Sequence, residues 1–70
     1  MTDKEKMVDL TKHAFIAFNN VKATSTDLEL IEFTFSRYYF YMNMLTLTYP
    51  DLDSDSLERE WTLENGRLWN

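Results

Sequence analysis

Residues 26–49 read TDLELIEFTFSRYYFYMNMLTLTY, and how this stretch folds decides how the chain folds. It contains no Gly and no Pro, and it holds seven of the eleven aromatic residues: Phe33, Phe35, Tyr38, Tyr39, Phe40, Tyr41 and Tyr49. Leu28, Ile31, Phe35, Tyr38, Met42, Leu45 and Tyr49 recur at alternating steps of three and four, the spacing of one helix face. A second apolar row, Phe33, Phe40, Met44 and Leu47, falls roughly opposite the first at about 100° per residue. Glu29, Glu32, Ser36 and Asn43 fill one strip between the rows, and Thr34, Arg37 and Thr48 fill the other. A helix that is apolar on two faces must be covered on two faces.

A strand pair competes with this reading. Ile31 to Ser36 and Leu45 to Tyr49 alternate apolar and polar residues of types that favour strands. A hairpin needs a turn between the two runs, and Asn43 is the one weak candidate. Thr26 and Glu29 stand three apart in the pattern of a capping box, in which hydroxyl and carboxylate satisfy free N–H groups at a helix start. With the unbroken spacing and the missing turn, that favours a helix.

Working outward, residues 3–22 form a second amphipathic pattern. Asp3 can cap its start, and Met7, Leu10, Ala14, Ala17 and Val21 make a stripe widened by Phe18, with Phe15 at its side and Ile16 opposite. Asn19 to Ser25 carries the break. Pro50 ends the central element, since it has no backbone N–H and biases Tyr49 away from helical geometry. After the polar run Asp51 to Ser56, a third helix begins near Ser54 or Asp55 and runs to Asn65, with Gly66 as its stop. Leu57, Trp61 and Leu68 can share one of its faces, and Trp69 either folds back or meets a partner. The sequence thus predicts a single all-α domain over residues 1–70, with helices at about 3–22, 27–48 and 55–65 and a long central one.

Seventy residues bury only about 60% of their unfolded surface. No cysteine is present to add a disulfide or a thiolate metal site. Yet the chain is 44% hydrophobic and 16% aromatic, more apolar surface than so short a chain can enclose. Short flanking helices cannot easily cover both rows of the central helix, so a homodimer is expected, with Phe33, Phe40, Met44 and Leu47 as the shared surface. The net charge of −5 disfavours direct contact with nucleic acid or anionic lipid. Residues 1–20 lack the apolar core of a secretory signal, and Glu29, Glu32, Arg37 and Asn43 interrupt the central stretch as a membrane span. A soluble, cytoplasmic protein is expected.

Motifs for chemistry are incomplete. Asp51, Asp53 and Asp55 alternate as in the opening of a calcium loop, but Ser56 stands where the turn needs Gly and Thr62 where the bidentate Glu belongs. His13, the only histidine, has Asp9 one turn before it and nothing that completes a metal or catalytic set. Tyr38-Tyr39-Phe40-Tyr41 could stack nucleic-acid bases, but only Arg37 is adjacent where a basic groove is required, so packing is the stronger reading. No cofactor and no catalytic role is expected.

The remaining feature is the acidic end. Residues 50–70 carry six acids against Arg59 and Arg67. Either they are a solvated face, or Asp55, Glu58 and Glu64 surround Trp61 as an anchor for a protein partner with a basic surface. The functional expectation is a small acidic, non-enzymatic interaction module. By analogy of size and charge alone, phages use such folds to inhibit host proteins that handle nucleic acid. The alternative is a structural or regulatory bundle whose partner is its own copy.

Overall fold

In the computed structural model residues 2–69 are described, with side chains for residues 2–66. Three helices follow one another: α1 (Asp3–Thr24), α2 (Leu28–Thr48) and α3 (Ser54–Trp69), and no strand occurs among the described residues. Residues 31–49 are therefore helical up to Thr48, and the strand-pair alternative is set aside. The central helix is not the longest, since α1 has 22 residues and α2 has 21.

The caps sit one residue away from their predicted places. Thr2, not Asp3, caps α1, its hydroxyl accepting from the Glu5 N–H at 3.2 Å. Asp27, not Thr26, caps α2, its carboxylate accepting from the Glu29 and Leu30 N–H groups. A carboxylate also suits the positive end of the helix dipole better than a hydroxyl. Asp53 serves α3 in the same way, accepting from the Asp55 N–H and the Ser56 hydroxyl. Tyr49, just before Pro50, closes α2 through its N–H to the Leu45 carbonyl. Gly66 does not end α3. A glycine stop needs the left-handed backbone conformation, and Gly66 does not adopt it, so the helix runs through.

The organising helix is α1 rather than α2, because α1 packs against both of the others. Phe15, which the sequence places at the side of the stripe, is the hub. Its ring meets Tyr38 of α2 at 5.1 Å and Trp61 of α3 at 5.6 Å between centroids. Serving two neighbours turns α1 by most of one residue step from its predicted phase. Thr11, Ala14 and Phe15 are buried, while Leu10 faces outward. Thr11 tolerates burial because its hydroxyl donates to the Met7 carbonyl of its own helix at 2.7 Å. Around Ala14 and Phe15 close Tyr38, Met42, Leu45 and Trp61, with Leu45 wholly enclosed. No buried polar side-chain atom lacks a partner among the described residues. The predicted roles of Leu68 and Trp69 lie outside the described side chains. No helix among the described residues is long and apolar enough to cross a membrane.

Candidate interaction surface

α2 touches α1 along one face, and only the C-terminal part of its first apolar row is enclosed. Tyr38, Met42 and Leu45 are buried, whereas Leu28 and Phe35 stay exposed. Phe35 still meets the Phe18 ring at 5.3 Å and Tyr39 at 6.0 Å. The second row points away from the core. Phe33 is 65% exposed, Phe40 62%, Met44 44% and Leu47 78%. Four consecutive aromatic residues thus divide as helix geometry requires, with Tyr38 inside, Tyr41 half-buried, and Tyr39 and Phe40 in water.

Two leucines that the sequence reading did not assign to this face extend it. Leu30 is exposed beside the row. Leu10 of α1, turned outward by the rotation of that helix, lines an apolar crevice of about 230 Å³ together with Met7, Phe40, Tyr41 and Met44. Nothing in the sequence alone indicated Leu10, because its exposure follows from α1 serving two neighbours. Arg37, the charge on this side of the helix, lies over the Tyr41 ring at 5.7 Å. The whole chain exposes 5250 Å². A typical folded monomer of this mass exposes about 4600 Å² on the usual scaling of surface with mass. Most of the large apolar side chains left in water lie on α2.

The acidic end looks different once folded. Trp61 is 3% exposed and packs on Phe15, so it is a core residue and not an accessible anchor for a partner. Glu58 is half-buried and accepts a hydrogen bond from the Tyr38 hydroxyl. Burial, and then this carboxylate, push the Tyr38 hydroxyl far above the ordinary tyrosine range. Glu64 accepts from the Lys12 ammonium at 2.7 Å, and Asp51 from Lys4 at 3.1 Å. Lys4 holds the Asp51 carboxyl below its usual range; the Ser56 hydroxyl and then the Asp55 N–H do the same for Asp53. Of the four residues read as partner-binding, Asp55 and Glu64 remain exposed, Glu64 in a surface pair with Lys12, and Glu60 is a further exposed acid of α3.

A trough of about 420 Å³ separates α1 from α3, floored by Val8, Leu57 and Trp61 and edged by Lys4, Lys12 and Glu60. Its lining sets Lys4 and Lys12 against Glu5, Asp9, Glu60 and Glu64, an acidic excess in which Lys12 is already paired with Glu64. His13 Nδ1 lies 3.5 Å from Asp9 on the exposed side of α1, as the one-turn spacing predicts. No group of three His, Cys, Asp or Glu able to hold a metal ion occurs among the described residues. Compared with protein-family models, curated proteins and solved structures, the chain matches none.

Proposed function

We propose that the protein is a non-enzymatic protein–protein interaction module that associates through the outer face of α2. One observation carries this: Phe33, Phe40, Met44 and Leu47 stand in one row, each 44–78% exposed, on a helix whose opposite face is packed from Tyr38 to Leu45. Scattered exposed leucines are ordinary, but a contiguous apolar row flanked by polar strips is the anatomy of an interface. Aromatic side chains near the centre of such a face dominate its binding energy. The acidic-end reading, with a basic-surfaced partner of the kind a phage inhibitor would engage, keeps less support. Glu58 and Glu64 already have partners within the chain and Trp61 is enclosed.

The test compares two double variants by sedimentation velocity, with circular dichroism to confirm that each stays helical. Phe40→Glu with Leu47→Glu places two charges where water must be excluded and should weaken association more than about 30-fold, the scale of a hot-spot loss. Asp55→Lys with Glu60→Lys should change it little. An apolar-face variant that associates as tightly as the unaltered chain, with itself or with any captured protein, refutes the proposal. A strong, salt-dependent effect of the lysine variant would shift support to the acidic end.

A further inference from the structure

We propose that the occupant of the α2 face is a second copy of this chain, packed antiparallel about a two-fold axis beside Phe40. This rests on the interaction reading above and adds the partner and its register. Three of the row's four residues have the symmetry that a self-complementary contact needs, and Met44 falls opposite Ser36. Phe33 and Leu47 lie seven residues either side of Phe40, about 10.5 Å each way at 1.5 Å per residue. A two-fold axis at Phe40 therefore sets Phe33 of each copy against Leu47 of the other, and Phe40 against its own copy.

Charge selects the orientation. A parallel two-fold pair would set Glu29, which shares the angular position of Leu47, beside its own copy. The antiparallel pair carries the two Glu29 side chains about 33 Å apart along the axis, well beyond the ~8 Å over which exposed charges act at physiological salt, while the two Arg37 side chains come to about 9 Å, near that limit. It also opposes the two helix dipoles. Self-repulsion from the net charge is small at this face, because the acidic excess sits in residues 50–70 and Arg37 is the sole charged residue between Phe33 and Leu47.

Area supports the same occupant. The four row residues with Leu30 and Leu10 keep on the order of 600 Å² in water, taking roughly 150–250 Å² for a large side chain. A stable interface takes about 800 Å² from each partner, and the flanking Ser36, Arg37 and Asn43 supply the difference.

The absence of native cysteine makes the register directly testable. Ser36 and Asn43 are exposed on one edge of the row and lie nearly equidistant from its centre. In the antiparallel pair Ser36 of one copy sits beside Asn43 of the other, while the two Ser36 positions are about 12 Å apart along the axis. Under mild oxidation, a mixture of Ser36→Cys and Asn43→Cys chains should give at least tenfold more cross-linked dimer than either alone. Ser36→Cys or Asn43→Cys alone cross-linking as readily as the mixture would overturn the register. A dimer that cross-links in neither arrangement would place the contact elsewhere and overturn the proposal. A chain that sediments as a monomer at 100-micromolar order would overturn the second copy as occupant. If Phe40→Glu still abolished binding to a different protein, the interaction module would stand without it.

Discussion

Removing one oxygen atom from the core tests how the helices are tied together. Tyr38 is 6% exposed, and its hydroxyl donates to the half-buried Glu58 carboxylate, joining α2 to α3. Tyr38→Phe keeps the ring against Phe15 and Phe18 and deletes only that bond. A hydrogen bond to a charged acceptor contributes about 1.5–3 kcal/mol, but Glu58 can turn toward water when it loses its donor, so a cost of about 1–2 kcal/mol is expected. At about 4–8 °C per kcal/mol for a chain of this size, the melting temperature should fall by roughly 10 °C.

The same substitution should change the alkaline limb. Burial raises the folded-state pKa of Tyr38 above its unfolded value near 10, so the folded state keeps a proton that the unfolded state releases. Its contribution is fully present below about pH 10 and is lost above it, by at most about 1.4 kcal/mol per pH unit for one group. Urea denaturation followed by circular dichroism, at pH 7 and pH 10.8 and one protein concentration, reads both effects. The unaltered chain should lose more stability on going to high pH than Tyr38→Phe does. Tyr39→Phe, at an exposed ring, is the control and should match the unaltered chain at pH 7. Equal stability of Tyr38→Phe at pH 7, together with an unchanged alkaline limb, would refute the argument.

Leu45→Ala should be far more damaging. Its side chain is wholly enclosed, so the cavity costs about 2–5 kcal/mol, which is a large part of the roughly 3.5–10 kcal/mol available to 70 residues. A melting-temperature drop under about 5 °C would show that the site is not packed as described. Asp53→Ala should loosen the start of α3, read as faster amide exchange at Asp55 and Ser56. Because the folded-state carboxyl of Asp53 is held low, its contribution is present above about pH 4 and lost as pH falls further, so the variant should show a flatter acid limb. Equal exchange and an equal acid limb would argue against the cap.

The three helices were legible because periodicity and stop residues act locally. Tyr38, Met42 and Leu45 follow from spacing alone, and Pro50 ends α2 where its missing N–H requires. The open row of Phe33, Phe40, Met44 and Leu47 was legible for the same reason: a helix cannot hide two faces in one groove. What escaped depends on which helix neighbours which. Leu10 and Thr11 differ by one position, and only the placement of α3 against α1 decides that the threonine goes inside. Trp61 among acids reads equally as anchor or core until Phe15 is seen to reach it. The acidic end misleads for a related reason, since formal charge counts carboxylates without showing that Lys4, Lys12 and Tyr38 already engage three of them.

The attachment of α3 to α1 also governs valence. α3 makes its polar tie to α2 at Tyr38, on the packed side of that helix, so a body seated on the outer face of α2 leaves Asp55 and Glu60 in water. On the proposed seating the two surfaces would not compete for space. In a two-fold pair each would occur twice on one rigid body, and a ligand with two basic segments could bridge both α3 helices. Its second contact would then form at an effective concentration in the millimolar range, turning a weak single contact into firm attachment with no new residue involved.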